Sequence, residues 1–131
     1  MTSKEHAKHN EEACDFLLNS EKFNDWVVTT AFYSALHYIC NEIFPLEQYD
    51  ETFNSFETYY RSNFKNAGSS QTKHSVIISL VNTKLTSCNI FYRSLYDLCM
   101  KARYSNYNVS FNIALKARRD LDNLKRHLDK I

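Results

Sequence analysis

The sequence predicts an all-α protein, an antiparallel up-and-down bundle of four to five long helices. Three observations predict it. The stretch Asp25 to Phe44, DWVVTTAFYSALHYICNEIF, runs without Gly or Pro until Pro45. Within it Val28, Phe32, Ala35, Ile39 and Ile43 recur at helical spacing, and Trp26, Val27, Ala31, Leu36, Cys40 and Phe44 widen the stripe. A helix apolar on most sides belongs inside a bundle, touched by several neighbours. Second, the 131 residues include one Gly and one Pro. Sandwiches and barrels turn about every ten residues and use more of both. Third, Ala114, Ala117, Leu121, Leu124, Leu128 and Ile131 step by threes and fours, a seam suited to shallow helix packing.

The elements follow in order. Ser3 to Asn19 reads as a first helix, with Ser3 as N-cap and Ala7, Asn10, Ala13, Cys14, Leu17 and Leu18 facing inward. Asn24 or Asp25 can cap the second. After the break at Pro45, Phe53, Phe56, Tyr60 and Phe64 suggest an aromatic-faced helix over 49–64. The stretch 66–71 is a flexible loop holding the sole Gly. Thr72 caps a helix with Val76, Ile77, Leu80 and Val81 inside, and 84–87 is a kink or turn. Residues 87–104 form a strong helix, with Ile90, Phe91, Leu95, Leu98, Cys99 and Ala102 inward. A polar turn at 105–108 precedes a last helix capped by Ser110.

Length suits one domain over 1–131. Hydrophobic residues are 44 % and aromatics 15 %, so the core is large and ring-rich. Cysteines 14, 40, 88 and 99 form no CxxC pair and sit at no zinc spacing, so neither a metal nor a cofactor is expected. P-loop, dinucleotide-turn, HExxH and nucleophile-elbow motifs are missing. The N-terminus is polar and no apolar run nears the ~20 residues of a membrane span. The expectation is a cytoplasmic protein with reduced thiols and no membrane contact. Charge is uneven: residues 1–60 carry a net −8 and residues 61–131 a net +9. Acidic and basic helices neutralising each other explain that plainly; a basic face for phosphate or an acidic partner is the sharper reading.

Several motifs together resemble the HEPN family of helical domains. The second helix is similar to that family's Asp-Trp-Ala-Val, small residues, then Phe-Tyr-x-Ala-Leu-His. Thr72-Lys73-His74 resembles its Thr-His opening of a core helix, Ala102-Arg103-Tyr104 its Ala-Arg-Tyr ending, and Ser110 to Leu121 its final helix. The resemblance spans roughly residues 6–128. It implies an up-and-down bundle, often a homodimer. Many members are metal-independent ribonucleases of toxin–antitoxin and phage-defence systems; others bind nucleotides or partners without catalysis. Active members carry Arg, four to six residues, then His. Here no Arg precedes a His at that gap, the nearest being Arg119 and His127 with seven between. The first expectation is therefore a non-catalytic module for dimerisation or partner binding in a bacterial defence or toxin–antitoxin system. The alternatives are a metal-independent ribonuclease with a displaced site, and an RNA- or nucleotide-binding subunit using the basic last helix.

The candidate residues stand against plainer readings. Thr30, Ser34, His37 and Asn41, with Tyr33 alongside, form a small and polar strip on the second helix, an interface or simply a close helix–helix seam. His37 is a proton-transfer candidate or a buried, hydrogen-bonded histidine. Lys73 and His74 open a helix, where free N–H groups suit an anion, or are just exposed residues behind a cap. Arg103 and Tyr104 close a helix, where the dipole favours a cation whatever its function. Arg93 lies on that same helix. Lys116, Arg119 and Arg126, with Lys130, share a face that binds RNA or is merely solvated. Catalysis, if present, would draw on His37 or His74 with Arg93 or Arg103.

Overall fold

The computed structural model describes residues 1–104 and 108–131, so most of the expected 105–108 turn lies outside the described residues. Helix α1 is Ser3–Ser20. Its cap is Thr2 rather than Ser3: the Thr2 hydroxyl accepts from the Glu5 N–H, and the Glu5 carboxylate accepts from the Thr2 N–H. That reciprocal pair satisfies two donors at once, which Ser3 with His6 three residues on cannot do. Glu21, in the left-handed region at φ 57°, ends the helix.

Helix α2, Asn24–Ile43, has no side-chain cap. Asn24 instead donates from Nδ2 to the Val109 carbonyl at 3.2 Å, tying the helix start to the segment before the last helix. Val27, Val28, Ala31, Phe32, Ala35 and Ile39 are fully buried. Trp26 is not part of that stripe, being 55 % exposed. At 100° per residue it falls about half a turn away from Ala35.

The largest departure is between Pro45 and Phe64. In place of a helix from Tyr49, a hairpin pairs β1 (Leu46–Gln48) with β2 (Glu51–Phe53), Leu46 opposite Phe53. Tyr49 and Asp50 both have positive φ, 56° and 60°, the twist a two-residue hairpin turn requires. The aromatic spacing persists because Phe53 ends a strand while Phe56 and Tyr59 begin α3, Phe56–Tyr60, capped by Ser55. A wider π-type turn, Arg61–Lys65, follows.

Thr72 caps α4, Lys73–Lys84, accepting from the Ser75 N–H, and Leu85 breaks it before a 3₁₀ turn at Thr86–Cys88. Helix α5 is Asn89–Tyr104. Its buried line is Tyr92, Leu95 and Cys99; Ile90, expected inside, is 67 % exposed because it stands off that line. Helix α6, Phe111–Leu128, is capped by Ser110, and its seam from Ala114 to Leu128 is buried; Ile131 lies beyond the helix and is exposed.

The all-α expectation holds apart from the hairpin. Helix α2 is the hub. It runs antiparallel to α1, where Ser34 Oγ donates to the Ala7 carbonyl at 2.8 Å and the Cys14 thiol approaches the Val27 carbonyl. It runs antiparallel to α5, with Phe32 against Tyr92 and Tyr96 and, further along, Tyr33 against Arg103. Helix α6 closes the other side, antiparallel to α5 through Cys88 on the Leu124 carbonyl and Ser94 on Asp120. Among the described residues no helix is long and apolar enough to cross a membrane.

Candidate functional site

The polar strip of α2 is mostly absorbed by the fold. Thr30 Oγ1 donates to its own helix at the Trp26 carbonyl, 2.7 Å. Ser34 is spent on α1, and the His37 ring stacks on His6 with centroids 4.9 Å apart. Burial, with the neighbouring His6, pushes the His37 imidazole below its ordinary pKa. Only Asn41 is exposed, at the edge of a cleft shared with His37, Phe44 and Phe56. The plain reading, a close helix–helix seam, describes what Ser34 and His37 do, and the partner is α1 of the same chain.

The basic face of α6 is engaged in part, and Arg118 and Lys125, which flank it, are engaged fully. Lys116 binds Asp120 and Ser94, each at 2.9 Å. Arg118 ties α6 to α1 through Glu11 and Asp15 and also holds Asp122; Lys125 joins it on Glu11. Arg126 is hydrogen-bonded to Asn123. Arg119 is exposed and has no ion-pair partner among the described residues. Glu11 and Asp15 of the acidic first half thus meet Arg118 and Lys125 of the basic second half across the α1–α6 contact.

A second cluster forms where α2, α4 and α5 meet. Phe32 is its fully buried floor. His74, in the first turn of α4, sits 6.0 Å from the Phe32 ring and 5.4 Å from Tyr96. Tyr33 lies edge-on to Phe32 at 5.3 Å. From the end of α5, Arg103 Nη1 donates to the Tyr33 hydroxyl at 2.5 Å and lies over the Tyr33 and Tyr104 rings. Arg93 lies over the Tyr96 ring at 5.8 Å while pairing with Asp97. Three helices thus deliver one imidazole, two guanidinium groups and the three phenols of Tyr33, Tyr96 and Tyr104 to this region.

Burial lowers the pKa of His74, and the Arg103 charge lowers it further, which favours the neutral ring. Its Nδ1 is buried with no hydrogen-bond partner among the described residues. Arg103 keeps its charge, held up chiefly by Tyr33. A fixed cation beside a neutral imidazole can bind an oxyanion and accept a proton. Among the described residues no group of three or more His, Cys, Asp or Glu is placed to hold a metal ion.

Of the residues singled out from the sequence, His74, Arg103, Tyr104, Arg93 and Tyr33 gather here. Lys73 does not: it turns to Glu57 at 2.8 Å and to the Tyr60 ring. His37 lies on the α1 side. Tyr96 and Trp26 were not picked out as site residues. Tyr96 stands two helical turns before Arg103, a spacing that marks a shared face. The comparisons add nothing to this: no family model, no curated protein and no solved structure matches the chain.

Proposed function

We propose that this chain is a HEPN-like helical domain that holds an RNA phosphodiester at Tyr33, His74 and Arg103 and cleaves it without a metal. The observation that carries the reading is the Arg103–Tyr33–His74 grouping. It gathers from three helices the cation and the neutral imidazole that the sequence lacks at the usual spacing on one helix. Arg103 would take the non-bridging oxygens. His74 would accept the proton of the ribose 2′-hydroxyl as its oxygen attacks phosphorus. The bond to the 5′ oxygen breaks, and that oxygen takes a proton from the Tyr33 hydroxyl; His74 then releases its proton to solvent and Tyr33 regains one from it. The products are a 2′,3′-cyclic phosphate and a 5′-hydroxyl.

The test is incubation of the purified protein with varied single-stranded RNAs in a chelator. The reading expects cyclic-phosphate ends, lost in His74→Ala and Arg103→Ala variants that keep their helical circular dichroism. Absence of cleavage across those RNAs would overturn it.

One observation favours a second reading, the dimerising module. A groove of about 730 Å³ between α4 and α5 has an apolar floor of Ile78, Val81, Ile90 and Leu98 and a rim of Arg93, Asp97 and Lys101. Ile90, 67 % exposed at this groove, is an apolar side chain that a second copy related by a two-fold axis would cover. Light scattering would find a dimer, and Ile90→Glu would return it to monomer; a wild-type monomer at all concentrations would reject it.

A further inference from the structure

Trp26 is the only tryptophan, and the fold does not use its ring for the core. Its indole instead borders a shallow cleft of about 230 Å³ lined by Asp25, Trp26, Thr29, Ala102 and Arg103. That volume is below the ~300 Å³ at which enclosed small-molecule sites begin, so it suits one flat ring whose parent molecule continues outside. The Thr29 hydroxyl is already committed to the Asp25 carbonyl at 2.9 Å. The charged residues that line the cleft are Asp25, from the first turn of α2, and Arg103, from the end of α5. The Asp25 carboxylate has no hydrogen-bond or ion-pair partner among the described residues. Next to Arg103 stands Tyr104, 70 % exposed, with its ring 5.1 Å from the guanidinium.

Resting on the RNA reading above, we propose that this cleft seats one unpaired base of single-stranded RNA, stacked on the Trp26 indole, with Asp25 selecting guanine. An exposed aromatic beside a fixed cation is the combination that tracks a single strand, the ring taking the base and the cation its phosphate. The same Arg103 serves both the phosphate site and the cleft, so the seated base neighbours the phosphate that Arg103 holds. Asp25 sets the choice of base. A carboxylate only accepts, and guanine offers two adjacent N–H donors, N1–H and the N2 amino group, that it can take together. Uracil offers a single ring N–H flanked by carbonyl oxygens that a carboxylate repels. A base inside a duplex has both faces covered and cannot enter.

The single tryptophan makes the test direct. Intrinsic fluorescence and anisotropy are followed as labelled ten-nucleotide RNAs are added: all-uridine, uridine with one central guanosine, and the latter annealed to its complement. Active-site turnover is avoided by using 2′-O-methyl ribose throughout. The inference expects Trp26 quenching by the guanosine strand, weaker quenching by all-uridine and none by the duplex. Trp26→Ala should weaken guanosine-strand binding about tenfold. Asp25→Asn should erase the preference for guanosine. If wild type binds RNA in an Arg103-dependent way, yet Trp26 is not quenched and Trp26→Ala binds as tightly, the base seat is wrong and the phosphate site stands. If wild type binds no RNA strand at all, the RNA reading falls and the base seat falls with it.

Discussion

Arg103 and Tyr33, seventy positions apart in sequence, are joined by a 2.5 Å hydrogen bond in which the guanidinium donates to the phenol oxygen. The bond links the end of α5 to the middle of α2 and sets Arg103 on the corner where His74 lies. Tyr33→Phe keeps the ring but removes the acceptor. We expect RNA cleavage to fall about tenfold or more, with unfolding free energy changed by no more than about 1 kcal/mol, the usual worth of an exposed hydrogen bond. Cleavage rates and urea melts of the same preparation check both halves.

Phe32 is the floor of that corner and touches Tyr33, His74, Tyr92 and Tyr96. Replacing it with Ala opens a cavity at the hub of the fold. The expected cost is about 3–5 kcal/mol. Chemical denaturation should show a lower midpoint with an unchanged slope.

The α1–α6 tie predicts a polar counterpart. Arg118 holds Glu11 at 2.9 Å and Asp15 at 2.6 Å, with Glu11 and Arg118 both mostly shielded from water. Arg118→Ala would leave Glu11 with Lys125 and the Tyr38 hydroxyl only. A fully buried pair broken on one side costs about 3–5 kcal/mol, and partial exposure reduces this to about 2 kcal/mol. Arg119→Ala, on an exposed and unpaired neighbour, should change stability by less than about 0.5 kcal/mol.

Stability should also fall on mild acidification. His37 and His74 both have folded pKa values below the ordinary histidine value, chiefly through burial. The unfolded chain therefore binds more protons than the folded one once pH drops below about 6.5. The contribution of these neutral rings is complete above that pH and is lost as pH falls toward the folded values. For His37 the stacked His6 is a second, lesser cause of that lowering. His37→Gln should flatten the dependence of melting temperature on pH between about 6.5 and 5.

Much of the helical layout was legible because it rests on local rules. The α2 stripe, the Thr72 and Ser110 caps and the α6 seam each follow from spacing or capping within a few residues. The hairpin was not, because its cause is backbone handedness at Tyr49 and Asp50, residue types that do not advertise positive φ as Gly or Asn would. Ile90 and Trp26 looked internal by residue type, and only their angular offset from the buried lines put them outside. The corner itself was half legible. His74 and Arg103 could be chosen as chemistry-bearing residues, but their meeting depends on α4 and α5 both packing against Phe32, a long-range fact. The contacts of the α2 strip could not be assigned from spacing alone: Ser34 and His37 meet α1, Thr30 bonds within its own helix, and Asn41 is exposed.

Whether His74 and Arg103 serve a single phosphate is decided by a double-mutant cycle on cleavage. Single-turnover rates in chelator are measured for wild type, His74→Ala, Arg103→Ala and the double variant. Groups acting on one phosphodiester give losses that overlap, so the double variant should be scarcely slower than the worse single variant. Losses that multiply, or single variants as fast as wild type, would contradict a shared site.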